Sequence, residues 1–109
     1  MKPLKDVRPD PKQVLDVEPE ELAPHVLHCL SGTNEPNIKR AIIAKHLADD
    51  YHESLQHEIA HAIQEAIGWL FAQCLLGASP YDPELIFLTR RGKKVASDYQ
   101  EELGLDKKK

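Results

Sequence analysis

Apolar residues recur along most of this chain at helical spacing, and proline or glycine marks the breaks between runs. Val26, Leu27 and Leu30 follow Pro24, which suits the first position of a helix, and Gly32 closes the run. Pro36 opens a second predicted helix over 36–48, with Ile38, Ile42, Ile43 and Leu47 as a broad apolar face. Asp49-Asp50-Tyr51-His52-Glu53-Ser54 supplies several N-cap candidates between that helix and a longer third one. Leu55, Ile59, Ile63, Ile67, Leu70 and Cys74 keep a helical period, so a helix is predicted over 54–76, stopping at Gly77, with Trp69 and Phe71 adding bulk beside the stripe. Trp69 reads as a core residue on the margin of that stripe. Phe71 reads as a cap on the hairpin that follows or as a dimer contact.

Leu85-Ile86-Phe87-Leu88-Thr89 departs from the helical period and reads as a strand, β-branched and aromatic in character. A lone strand needs a partner, and Leu75-Leu76-Gly77-Ala78 reaches it across the Pro80–Pro83 turn as a hairpin. Thr89 then caps a last helix that carries Val95, Ala96, Tyr99 and Leu103 on one face and ends at Gly104. The order is helix, helix, helix, hairpin, helix. The expected fold is therefore mainly α with a small β-hairpin, and the second and third helices make it a winged helix-turn-helix.

Composition narrows the setting. A chain of 109 residues, 41% apolar and 29% charged, suits one globular domain with a core of its own. The expected division is an extended, proline-broken arm over 1–17, a domain over 18–104 and a disordered basic tail over 105–109. Cys29 and Cys74 lie far apart in apolar helical surroundings, so both read as reduced core residues of a cytoplasmic protein. No stretch has the length of a membrane span, and the N-terminus lacks the apolar core of a signal peptide. The net charge of −4 divides into −2 over 1–31, −3 over 32–76 and +1 over 77–109. Basic character is thus concentrated in Arg90, Arg91, Lys93, Lys94 and Lys107-Lys108-Lys109.

The stretch Glu65-Ala66-Ile67-Gly68-Trp69-Leu70, then Gly77, then Ile86-Phe87-Leu88-Thr89-Arg90-Arg91-Gly92-Lys93 resembles the helix, wing and wing-exit signature of small prokaryotic winged-helix domains. Leu88-Thr89-Arg90-Arg91-Gly92 is similar to the wing exit of MarR- and PadR-like regulators, and the whole is similar to winged-helix modules of mobile-element and defence proteins. The likeness covers about residues 20–100. It implies double-stranded DNA as partner, with Ser54, Gln56, His57, His61 and Gln64 facing the groove. It likewise implies backbone contacts from Arg90, Arg91, Lys93 and Lys94, assisted by Lys39 and Arg40. One feature opposes this expectation. Between His52 and Cys74 there is no Lys or Arg, whereas Glu53, Glu58 and Glu65 are present, and phosphate neutralisation is what supplies non-specific DNA affinity. The alternative is a protein-interaction or dimerisation module without DNA binding.

A second alternative is chemical. His57-Glu58-Ile59-Ala60-His61 spells the zinc-hydrolase motif, in which two histidines one turn apart share Zn²⁺ and the glutamate activates water. Three arguments weigh against it. No third ligand stands at a diagnostic spacing, the region upstream offers coil and helices instead of a covering sheet, and both histidines point roughly 160° from the Leu55/Ile59/Ile63 stripe toward solvent. His25 and His28 read as partly exposed, His46 as a helix-surface residue and His52 as a turn residue. No nucleophile–base arrangement and no phosphate-binding glycine loop is present, so the chain reads as a binding module with neither catalysis nor cofactor.

Overall fold

The computed structural model describes the backbone of residues 1–32 and 37–103 and the side chains up to Asp98. Pro36, Gly104, the tail 105–109 and the side chains of Tyr99 and Leu103 lie outside the described residues. In chain order the elements are α1 (Lys12–Leu15), α2 (Pro19–Ser31), β1 (Ile38–Lys39), α3 (Arg40–Ala48), α4 (Gln56–Ala72), β2 (Leu76–Ala78), β3 (Leu85–Leu88) and α5 (Arg90–Leu103), with 3₁₀ turns at Leu4–Asp6 and Glu53–Leu55. The protein is mainly helical and carries one three-stranded antiparallel sheet in the order β1-β3-β2. No helix among the described residues is long and apolar enough to cross a membrane.

The hairpin forms as its sequence predicts, pairing Leu76 with Leu88, Gly77 with Phe87 and Ala78 with Ile86. A third strand joins it on the other side. Ile38 pairs with Ile86 and Lys39 with Leu85, and the Arg40 amide donates to the Glu84 carbonyl at 2.9 Å. The helix predicted from Pro36 therefore starts at Arg40. An open edge of β3 offers Ile38 and Lys39 ladder bonds, and that tertiary gain outweighs the helical reading of the local sequence.

α2 also differs from its expected start. It begins at Pro19 after the extended Glu18, so Pro24 lies inside the helix. The missing N–H of Pro24 leaves the Glu20 carbonyl without its intrahelical donor, a cost offset by burial of Leu22 and Ala23 on the same face as Val26, Leu27, Cys29 and Leu30. The first 17 residues are not an extended arm in this structure. Leu4 and Val14 are fully buried, the Lys2 amide donates to the Cys29 carbonyl at 3.0 Å, and the Tyr51 hydroxyl donates to the Arg8 carbonyl at 2.6 Å. Leu4 and Val14, with Met1, Val7, Leu15 and Val17 packed around them against the core, hold this proline-rich segment in place.

α4 packs against α2 and α3 through Ile59, Ile63, Ala66, Ile67 and Leu70, all fully buried. Its end is sharper than the run to Gly77 suggests. The Leu75 amide donates to the Leu70 carbonyl at 3.0 Å and the Cys74 amide to the Phe71 carbonyl at 3.0 Å, while Cys74 takes φ 62°. These are the paired bonds of a Schellman ending, with an L-residue at the left-handed position usually held by glycine. Cys74 is consequently exposed, not a core residue; Cys29 is buried.

The Leu88-Thr89-Arg90-Arg91-Gly92 run has a structural role at this same place. The Thr89 amide donates to the Leu75 carbonyl at 3.2 Å, and its hydroxyl donates to the Cys74 carbonyl at 2.7 Å while accepting from the Gly92 amide at 2.9 Å. A Cβ on Gly92 would overlap the Leu75 carbonyl oxygen. Only glycine lets the first turn of α5 seat there.

Two stability changes of opposite sign follow. Cys74→Gly relieves left-handed strain and is expected to raise unfolding free energy by about 0.5–1 kcal/mol, read as a higher urea midpoint. Gly92→Ala forces backbone against backbone and is expected to cost roughly 3 kcal/mol or more, read as loss of the cooperative thermal transition near the wild-type temperature.

Candidate functional site

The residues that the sequence marks for contact fall into three groups. Just before α4, His52 caps the 3₁₀ turn: its Nδ1 accepts from the Ser54 amide at 3.2 Å and lies 2.9 Å from the Ser54 hydroxyl, so Ser54 is engaged with His52. Gln56 is turned inward: its Nε2 donates to the carbonyls of Asp49 and Tyr51 at 3.2 and 3.0 Å, closing the turn between α3 and α4. His57 and His61 remain on the exposed face, their ring centroids 4.3 Å apart at a tilt of 50°, beside the exposed Glu53, Glu58 and Glu65.

The second group is a clasp. Arg40 Nε donates to Gln64 Oε1 at 2.7 Å and Arg40 Nη2 to the Gln64 carbonyl at 3.3 Å. The same guanidinium lies 5.4 Å from the centroid of Phe71, within cation–π range. Arg40 and Gln64 are thus spent on joining the start of α3 to the middle of α4. Phe71 forms the floor of that contact instead of standing free, while Trp69 is half-buried against the core.

The third group is basic. Arg90, Arg91, Lys93 and Lys94 are all exposed on the face of α5 opposite Gly92 and Ala96, and none of them has an ion-pair partner among the described residues. They sit at the opposite end of α4 from His57. Thr89 is bonded to Cys74 and Leu75, just past the end of α4, and 17 helical residues span about 25 Å. Lys39 is exposed on β1.

Charge follows the same division. From His46 through Thr89, a stretch that includes the α3–α4 turn, α4 and the hairpin, there are seven carboxylates and no Lys or Arg. Acidic side chains near the start of α4 and cations beyond its end both complement the α4 dipole. The cations in the first turn of α5 oppose the dipole of α5 itself.

The His-Glu-x-x-His residues keep their helical spacing, with both rings and Glu58 exposed. Among the described residues, no three His, Cys, Asp or Glu side chains come together to hold a metal ion.

A buried polar cluster is not legible in the sequence, because its members are spread over the N-terminal segment and α2, with Tyr51 of the turn after α3 bonded to the Arg8 carbonyl. His25 and His28 are buried, at 9% and 4% exposure, and not partly exposed. Arg8 Nη2 lies 2.8 Å from His25 Nε2, and since arginine only donates, that nitrogen is the unprotonated acceptor of a neutral ring. Arg8 Nε and His28 Nδ1 are buried without a hydrogen-bond partner among the described residues. Burial, then Arg8, then His28 push the His25 pKa down to about 4, and burial with Lys2 pushes His28 down too. Burial also pushes the Cys29 thiol up to about 12, so it is an inert core group.

These shifts set a pH dependence. The native state keeps the His25 ring neutral down to about pH 4, whereas the unfolded chain protonates it near 6.5, so the unfolded state binds more protons between those values. Stability is expected to fall by about 2–3 kcal/mol as pH drops through this window, and His25→Gln is expected to flatten the slope, both read from urea midpoints.

Comparison with known proteins finds no matching family model, no similar curated protein and no similar solved structure.

Proposed function

We propose that this chain is a winged-helix module that docks protein and does not read duplex DNA through its third long helix. The element order, with a short strand before α3 and a hairpin before α5, supports the winged helix-turn-helix reading, in which α3 and α4 are the helix pair and β2–β3 the wing. One observation carries the choice of partner: the α3–α4 turn, α4 and the wing hold seven carboxylates and no Lys or Arg. Inserted beside a phosphate backbone, that face adds repulsion where a DNA reader neutralises charge. The polar side chains that a groove-reading helix needs are also committed elsewhere, Gln56 to the turn and Gln64 to Arg40. What stands free on α4 is a histidine pair edged by glutamates, a surface suited to a polypeptide partner.

A second reading rests on a different observation. Arg90, Arg91, Lys93 and Lys94 form one exposed cationic face at the positive end of α5, which suits sequence-blind contact with a polyanion such as a nucleic-acid backbone.

Mobility shift and anisotropy with a mixed-sequence duplex at about 50 and 200 mM salt separate the two readings. For the docking module, binding is absent or weaker than about 10 μM even at the lower salt. Binding that is steep in salt and lost on Arg90→Ala with Arg91→Ala, equally for all sequences, supports the second reading. Tight binding whose sequence preference changes on His57→Ala would return α4 to the groove and overturn the proposal.

A further inference from the structure

Among the described residues only two large apolar side chains stand exposed, Tyr81 at the hairpin tip and Ile42 on α3, the latter at 52%. Ile42 was expected in the core. The buried stripe of α3 consists instead of Ile43, Ala44, Leu47 and Ala48, which leaves Ile42, Lys45, His46 and Asp49 as an outer ridge at helical spacing. Ile42 also lines an open groove of about 440 Å³ with Ile38 and Leu85, rimmed by Lys39 and His46. A β-branched aliphatic residue on the outer side of a helix, over an apolar groove, leaves hydrophobic area uncovered.

The charges at the two ends of this ridge identify what fits over it. Lys39 is exposed at the N-cap of α3 and Asp49 is exposed at its C-cap, ten residues apart. Let a second α3 run antiparallel, with the two-fold axis at the level of Ala44. Ile42 then comes opposite His46 of the other copy, and Lys39 of each copy comes opposite Asp49 of the other. The Lys39–Asp49 pair thus forms once at each end, as an isologous contact requires, while the two copies of Lys45 flank the axis and keep their ammonium groups in solvent. Each lysine also lies near the negative end of the facing helix and each aspartate near the positive end. The present partner of Asp49 is Lys45, at 3.2 Å in an exposed i, i+4 pair, which is weak and readily exchanged.

We infer that α3 carries a two-fold dimer contact, in which a second copy of this chain lays Ile42 and His46 over the groove and pairs Lys39 with Asp49 at both ends. The contact lies on the outer face of α3, so it does not use the exposed face of α4.

Sedimentation velocity with light scattering tests this on the whole chain. Weight-average mass is expected to rise from 12.3 kDa toward twice that value as concentration increases from about 5 to about 500 μM. Ile42→Glu is expected to hold the protein monomeric with an unchanged circular dichroism spectrum. Lys39→Asp is expected to weaken association about tenfold, and Lys39→Asp with Asp49→Lys to restore it. Monomeric mass throughout, a dimer indifferent to Ile42→Glu, or a double variant no better than Lys39→Asp alone would each overturn the inference.

Discussion

The junction at the end of α4 governs how the rest of the molecule is disposed. There the chain must leave a long buried helix, enter a strand, return along the hairpin and start another helix within about twenty residues. Two carbonyls achieve this, those of Cys74 and Leu75, since both accept from Thr89 and the second also abuts Gly92. The hydroxyl of Thr89 ties three segments with one atom, accepting from α5 and donating to the end of α4. Because these groups are backbone, or a short side chain held on both sides, the root of the hairpin and the direction of α5 are set together. The strain of a left-handed Cys74 is part of that arrangement.

The separation of the candidate contact residues follows from this junction and from the clasp beside it. A root fixed just beyond the end of α4 puts Arg90, Arg91, Lys93 and Lys94 at the far end of that helix from His57 and His61. The Arg40 contact with Gln64 and Phe71 then removes two polar side chains and an aromatic ring from the middle. What remains is an acidic, histidine-bearing end and a basic end, with little between them that is free to recognise a ligand.

Much of the fold was legible in the sequence, and the misses share a cause. Ile59, Ile63, Ala66, Ile67 and Leu70 announce α4 because their period needs no information from elsewhere in the chain. The hairpin was legible for the same reason, from β-branched residues on either side of a proline turn. β1 was not, because Ile38 and Lys39 are strand only by virtue of the unpaired edge of β3, and that edge belongs to residues some fifty positions later. Leu4 and Val14 were likewise misread, since a proline-broken segment with scattered apolar residues looks the same whether or not a groove waits for it. At the site, residue types were legible and their employment was not. Gln56, Gln64 and Arg40 look available in sequence, and only the hydrogen bonds show that each is already engaged. His25 and His28 lie on the buried side of α2, and sequence alone does not reveal that Arg8 covers one of them.

The unequal placement of charge along α4 has an effect that begins before any contact forms. With Asp49, Asp50, Glu53 and Glu58 at or before the start of α4 and Arg90, Arg91, Lys93 and Lys94 beyond its end, the molecule carries a separation of charge that its net value of −4 does not convey. In the field of a charged surface it turns before it touches. Whatever macromolecule it meets therefore selects, by the sign of its own potential, which pole arrives first, and this preference weakens as salt shortens the reach of the field.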